Sequence, residues 1–418
     1  MKHILLILCS VTWLFGCSNY LDVVPERDIE TIESIFELRA NADTWLEGVY
    51  AGVMKQVAHF ERNPAFFGAD ETIMCDVFRN EKDGDRSAYN GLFIAEGLQM
   101  SQEPYGNLWD DNLNSTNAIA LCSHYESIRN VNVFLEHIDG VYNMEEREKR
   151  EWKAEMLALK AFLYFDLVRH YGPIALVPKN ISVETSVPDM AVDRVHVDTC
   201  FREIVRLLDE AEPNLLLKSE KSSVRYAYFT KEAALVLKAK VLLYAASPLF
   251  NGNEYYANFK GKNGEPLFSS EYDPEKWRLA AEAADRAVEV CEAGQHKLYD
   301  GTASEGSVLL NTMYDLSHSV LSQFDNPEMI LEWKEVVRNS DWYYHYLVLP
   351  RLSSSDQHYN QRAKGGICPT IKMVEMYYTE NGLPIDVDNT WNYSGRYQMA
   401  QESSPRYTNV VPLKTDVL

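Results

Sequence analysis

The chain has 418 residues, of which 46% are hydrophobic, and this composition predicts a globular protein with a large buried core. Its formal net charge of −22 at pH 7 argues against binding to the phosphates of nucleic acid or flat binding to an anionic membrane surface. Of the seven cysteines, Cys9 and Cys17 belong to the N-terminal segment, and the other five contain no CxxC pair, so we expect these five to be buried thiols rather than a disulfide framework. They are Cys75, Cys122, Cys200, Cys291 and Cys368.

The first 17 residues have the layout of a bacterial lipoprotein signal. Lys2 gives a short positive start, the run Ile4–Val11 is almost entirely apolar, and the segment ends in the sequence LFGC. The apolar run is too short for a permanent transmembrane helix, and its end is a lipobox. We therefore predict that residues 1–16 are a signal peptide and that the mature chain begins at a lipidated Cys17. The alternative is an ordinary signal peptide with a coincidental cysteine.

Behind a short polar tether at 17–28, a single domain is predicted over 29–418. Its apolar residues recur at helical spacing. The helix predicted at Glu145–Tyr171 is apolar on most faces, so it needs neighbours on most sides, and Gly172-Pro173 ends it. The predicted helices are Ile29–Lys55, Ala118–Asp139, Glu145–Tyr171, Val197–Leu217, Tyr226–Ala246 and Trp277–Ala293.

Several of these helices have alanine-rich contact faces, which indicate stacked helical hairpins of the tetratricopeptide type. The predicted fold is mostly α, a tetratricopeptide-like solenoid of helical hairpins with an irregular, loop-rich subdomain that carries short strands. The loop-rich stretches are 63–112 and 301–418. Long loops in a compact helical protein tend to be functional, so both stretches are candidates for a ligand face.

Five sequence blocks follow one another in a specific order. Behind the lipobox come YLD at 20–22 with Pro25, YESIRNVNVFLE at 125–136, a long block at 154–178, a block at 233–245 and PTIKMVEMY at 369–377. Together they resemble the SusD-like (SusD/RagB) surface lipoproteins, from Cys17 to about residue 387. Within these blocks, Arg129 and Glu155 are candidates for buried ion pairs.

The resemblance implies a lipid-anchored protein of the outer membrane that faces the cell exterior. Members of the family capture a nutrient oligomer, usually a glycan and sometimes a peptide. They then close like a lid over a SusC-like TonB-dependent transporter. Family members usually continue further, with another helical segment and an Arg-rich C-terminal stretch, so the chain is expected to be truncated at Leu418. Neither an enzymatic activity nor a cofactor is implied.

A glycan site needs aromatic platforms flanked by short polar side chains. One such stretch runs from Arg79 to Asn112, and family glycan binders place a tryptophan with a nearby asparagine there, as Trp109 and Asn112 stand. The second stretch is WYYHY at 342–346. If it is extended, the alternation of side chains puts Trp342 and Tyr344 on one face and Tyr343 on the other. Core packing of any of these aromatics, and a salt bridge for Arg79, are the alternatives. The candidate ligand residues are Arg79, Trp109, Asn112, Trp342, Tyr343 and Tyr344.

Three other functions stay open: peptide capture by the same lid, a surface glycoside hydrolase, and a scaffold lipoprotein that binds only protein. The sequence has no GxSxG, HExxH or P-loop pattern, and its 62 acidic residues make any guess at a catalytic pair uninformative. A metal loop at Asp386 fails the EF-hand pattern, because Trp391 replaces the turn glycine and Tyr397 the closing glutamate. We predict a non-enzymatic binding protein without a metal.

Overall fold

The computed structural model describes residues 31–58, 67–74, 90–102, 104, 107–109, 123–299, 308–321, 326–332 and 367–395. Short 3₁₀ turns connect several of its elements. In chain order the elements are α1 (Ile32–Ile35), α2 (Arg39–Ala58), β1 (Thr72–Met74), α3 (Asn90–Ala95), α4 (His124–His137), α5 (Glu146–Tyr171), α6 (Val197–Ala211), α7 (Lys231–Ala246), α8 (Glu275–Ala293), α9 (Val308–Leu321), β2 (Ile367–Pro369) and α10 (Ile371–Glu375).

The long helices pack in sequence. Helix α2 packs on α4, α4 on α5, α5 on α6, α6 on α7 and α7 on α8. One continuous hydrophobic cluster draws side chains from α2, α4, α5, α6 and α7. Each helix therefore buries an apolar stripe against its neighbours along the chain, as in a helical-hairpin solenoid. The predicted mostly α, tetratricopeptide-like fold is confirmed.

Helix α5 lies at the centre of this stack. Its buried side chains come from every face and include Trp152, Leu159 and Tyr164. It ends at Gly172, whose positive φ of 68° closes the helix while its N–H donates to the Val168 carbonyl at 2.9 Å. The predictions of neighbours on most sides and of a glycine end are both confirmed.

Two helices begin later than their apolar pattern predicts. Helix α4 begins at His124, because the hydroxyl of Ser123 accepts from the Glu126 N–H at 3.0 Å. Helix α7 begins at Lys231, because Thr230 accepts from the Ala233 N–H at 3.1 Å in the same way. Serine and threonine at these positions satisfy free backbone donors of the first turn. The capping hydroxyls, rather than the apolar spacing, set both boundaries.

Strands β1 and β2 form a short antiparallel ladder that joins distant parts of the chain. Thr72 pairs with Pro369 and Met74 with Ile367. Beside the ladder, Lys372 forms an ion pair with Asp70 on the surface. The ladder joins the loop-rich stretch 63–112 to the loop-rich stretch 301–418.

A group of charged side chains is buried between α2, α5 and the connector that precedes α7. The Glu155 side chain is fully buried, and it accepts a hydrogen bond from the equally buried Lys221. Arg225 lies 3.9 Å from Glu155, pairs with Asp43 of α2 and stacks 4.5 Å above the Trp152 ring. Glu155 is thus a buried ion-pair member, as predicted.

Arg129 is exposed on α4, so its predicted place in a buried ion pair is wrong. Its position faces solvent, where a long charged side chain loses no hydration.

The predicted signal peptide, Cys17 and the tether lie outside the described residues. No described helix combines the length and the hydropathy that a bilayer crossing requires. Of the predicted buried thiols, those of Cys200 and Cys291 are buried and free, while Cys368 is half-buried.

We expect Glu155→Ala to lower the free energy of unfolding by about 3 kcal/mol, because it removes the buried carboxylate that accepts from Lys221 and leaves that ammonium with Glu151 at 3.7 Å. Urea denaturation followed by circular dichroism measures this loss. The matched control is Glu148→Ala on the same helix, whose partner Arg39 is partly exposed, and we expect it to cost about 1 kcal/mol or less. Equal losses of unfolding free energy in the two variants would show that the buried pair stabilises the fold no more than the partly exposed one.

Candidate functional site

The backbone around Trp109 is held against the end of α5 and the start of α4. The Leu108 N–H donates to the Tyr171 hydroxyl at 2.8 Å, and the Leu108 carbonyl accepts from the His124 N–H at 3.0 Å. The Trp109 N–H donates to the Asn107 side chain at 3.0 Å. These bonds fix the position of the indole relative to the solenoid.

The Trp109 ring packs within a cage of three side chains. The Arg194 guanidinium lies 4.6 Å from the ring centroid, Tyr125 meets the ring at 4.9 Å, and Tyr171 meets it edge to face at 5.6 Å. Arg194 is itself fixed, because it donates to the Pro173 carbonyl at 2.5 Å. The half-buried indole therefore has the contacts of a packing residue, and its role in ligand binding stays a prediction.

The other predicted site residues lie outside the described residues, so their contacts are predictions only. They are Arg79, Asn112, Trp342, Tyr343 and Tyr344.

The β1–β2 ladder nevertheless relates the two stretches to which these residues belong. Met74 ends β1 and pairs with Ile367, which begins β2. In an antiparallel pair these two residues stand at the same end of the ladder. The ladder therefore brings residue 74 of one loop-rich stretch beside residue 367 of the other.

A cleft of about 480 Å³ lies between α2 and α4 and was not predicted from the sequence. Trp45 lines it, with its indole N–H donating to the Asn130 carbonyl at 3.1 Å. Asn41 and Thr44 add polar side chains to the wall. The sequence does contain a sign of this cleft, because Asn41, Thr44 and Trp45 are spaced to lie on one face of α2. A search for apolar spacing alone does not detect such a face.

A smaller pocket of about 200 Å³, the α5-end pocket, opens where α5 ends. Its walls combine the polar residues Arg169 and His170 with aromatic residues from the loop between α7 and α8. The sequence did not predict it either, because its walls come from segments far apart along the chain.

Metal binding has no candidate centre within the described ranges, where no three histidine, cysteine or acidic side chains are grouped to hold an ion. In the loop that fails the EF-hand pattern, both oxygens of Asp388 accept hydrogen bonds from residues nearby in the chain. One takes the Thr390 N–H at 2.8 Å, and the other takes the Asn381 amide at 3.0 Å and the Thr379 hydroxyl. The hydrogen bonds from Thr379, Thr390 and Asn381 hold the pKa of Asp388 below its usual range.

Residues 19–243 match a family model, SusD-like, described as starch-binding associating with the outer membrane. The match covers more than half of the chain. The chain belongs to the SusD-like family.

Relatives in sequence and structure agree with this assignment. The SusD-like protein P38 of Formosa agariphila is 24% identical over 279 residues, which cover 63% of this chain and 48% of that protein. The solved structure of BT4246 has a TM-score of 0.64 at 23% identity, over 88% of this chain and 62% of that one. A SusD-like protein from Bacteroides fragilis has a TM-score of 0.57 at 18% identity, over 84% and 55%. This SusD-like chain thus shares their fold and spans about half to two thirds of their length.

We expect Trp109→Ala to lower the free energy of unfolding by about 2–3 kcal/mol, less than the loss for a fully buried tryptophan. The reason is the lost packing against Arg194, Tyr125 and Tyr171. Urea denaturation measures it, with Trp277→Ala on the exposed side of α8 as the control, expected within about 0.5 kcal/mol of the parent. An unchanged stability in Trp109→Ala would show that the indole contributes little to packing.

Proposed function

We propose that this SusD-like chain binds an oligosaccharide at the cell surface and delivers it to a SusC-like TonB-dependent transporter of the outer membrane. The observation that carries the proposal is the family match over residues 19–243, whose description is starch binding in association with the outer membrane. The likeness to BT4246 supports a shared scaffold for that role.

The ligand site in this proposal is built from the two loop-rich stretches. Trp342 and Tyr344 present aromatic faces on which the C–H faces of sugar rings stack. Arg79 and Asn112 offer donors and acceptors to the hydroxyl groups. The β1–β2 ladder is compatible with this proposal, because it joins residues 72–74 of the first stretch to residues 367–369 of the second.

Lipidation at Cys17 and the tether at 17–28 supply the anchor. The net charge of −22 gives the protein body no attraction to an anionic membrane surface, so attachment depends on the acyl chains. Anchoring beside the transporter raises the effective concentration of the binding protein, and a weak affinity for the ligand then suffices. The helical solenoid moves as a rigid lid on this tether.

We test the proposal by calorimetry and thermal shift on the mature chain, produced without its lipid, against plant, algal and host oligosaccharides and a peptide pool. A bound oligosaccharide at 100 times its Kd should stabilise the protein by about 2.7 kcal/mol. Trp342→Ala should weaken binding about tenfold or more, because it removes a stacking face. Trp277→Ala, an exposed tryptophan outside both stretches, should leave the affinity unchanged.

Other outcomes would replace the proposal. Binding of peptides alone would establish peptide capture, and shortening of a glycan by the purified protein would establish a hydrolase. A well-folded protein that no oligosaccharide or peptide stabilises would favour the scaffold lipoprotein. Equal weakening by Trp342→Ala and Trp277→Ala would move the site away from the loop-rich stretches.

A further inference from the structure

The loop between α7 and α8, residues 247–274, is closed by one buried side chain. Asn251 is only 3% exposed. Its amide donates to the Asp273 carbonyl at 2.9 Å, and its carbonyl oxygen accepts from the Asp273 N–H at 2.8 Å. These two bonds join the ends of the loop to each other.

Within this loop a short hairpin turns the chain back over the end of α5. Lys260 and Pro266 form an antiparallel bridge, and Gly264 takes a positive φ of 85° in the turn. The Leu267 N–H donates to the Phe259 carbonyl at 3.1 Å, and the Leu267 carbonyl accepts from the Val197 N–H at 2.9 Å. The last bond attaches the hairpin to the start of α6.

The hairpin provides the aromatic walls of the α5-end pocket. Tyr256 stacks on Phe268 with centroids 4.5 Å apart, and Phe259 approaches the same ring at 6.1 Å. Phe268 is buried, whereas Tyr256 and Phe259 are 39% and 40% exposed. Phe268 thus gives the cluster a buried base, while Tyr256 and Phe259 keep part of each ring open to a ligand.

Gly172 lets the base of this cluster approach the end of α5. An ideal Cβ at this position would lie 3.0 Å from Cζ of Phe268, and the φ of 68° disfavours other residues as well. The Phe268 ring therefore lies against bare backbone, and the pocket reaches the two polar residues that precede the glycine.

Those two residues offer one acceptor and one donor. The Nδ1 atom of His170 lies 2.7 Å from the Asp166 carbonyl, which can only accept, so Nδ1 carries the proton. Burial lowers the pKa of His170, which favours the neutral ring, and its Nε2 is then an acceptor. Arg169 provides donors, while its charge is balanced by its ion pair with Asp166.

We propose that the α5-end pocket binds a single pyranose ring of an uncharged sugar. The pocket volume of about 200 Å³ is below the roughly 300–1,000 Å³ typical for drug-sized ligands, which favours one ring over an oligomer. A hydroxyl can donate to His170 and accept from Arg169, while the ring's C–H face packs on Tyr256 and Phe259. A hydrocarbon side chain would leave the Nε2 acceptor of His170 without a donor, and an anion would find the charge of Arg169 already balanced by Asp166.

This inference rests on the proposed function in taking the ligand to be a sugar, but it assigns a separate subsite. Its residues belong neither to the stretch from Arg79 to Asn112 nor to the tyrosines that follow Trp342. Tyr171 lines the pocket and contacts Trp109 edge to face, so the two regions are neighbours.

Saturation-transfer difference NMR on the mature chain tests the subsite, with methyl α-D-glucopyranoside, methyl β-D-galactopyranoside and methyl α-D-mannopyranoside as probes. We expect at least one glycoside to bind, and Phe259→Ala and His170→Ala each to weaken it about tenfold. Tyr255→Ala is the matched control, because Tyr255 adjoins Tyr256 in sequence, is 97% exposed and does not line the pocket. It should leave the affinity unchanged, as should Trp342→Ala.

Circular dichroism confirms that each variant is folded. Absence of glycoside binding, with oligosaccharide binding that still depends on Trp342, would overturn the subsite and leave the proposed function standing. Glycoside binding that the Phe259 and His170 variants lose would support the subsite even where Trp342→Ala has no effect on oligosaccharides. Binding of N-acetylphenylalanine amide in place of the glycosides, or equal effects of Phe259→Ala and Tyr255→Ala, would overturn it.

Discussion

Polar side chains buried along α5 determine how its neighbours are positioned around it. Because apolar partners cover the helix on nearly every face, each charge that it carries inward needs a partner from another element. Hydrophobic contact alone would tolerate small shifts of one helix along another, but a buried charge tolerates no shift that removes its partner. The pairs are Glu155 with Lys221, Lys160 with Asn132 at 2.5 Å, and Asp166 with His124 at 2.8 Å. They connect α5 to the connector before α7 and, twice, to α4.

The end of α5 also positions residues of the candidate binding surfaces. Its last residue, Tyr171, holds the backbone at Leu108 and contacts the Trp109 ring. The next residue, Gly172, admits Phe268 against the backbone and so forms the base of the α5-end pocket. A displacement of the end of α5 would therefore move both features together. The positions of Trp109 and of the α5-end pocket therefore both depend on how firmly the end of α5 is held.

The sequence predicts local features of this fold better than distant contacts. Gly172 followed by proline marked the end of α5 correctly, because a helix end is a local event. The start of α7 was misplaced, because apolar residues before Thr230 continue the helical spacing although the threonine caps the helix. The sequence indicates Trp109 as a candidate ligand residue, but it does not predict that Arg194 packs on the ring. Arg194 comes from another connector, and helical periodicity contains no information on such a distant pair. The α5-end pocket was missed for the same reason.

The two proposed subsites together have a consequence for ligand choice. Stacking of one sugar ring contributes little free energy, so a single subsite binds weakly. An oligomer that reaches two subsites makes its second contact intramolecularly, and its affinity rises without any new type of interaction. The gain vanishes for a chain too short to span both. The spacing between the two proposed subsites, rather than the chemistry of either, would then set the minimum length of the captured glycan.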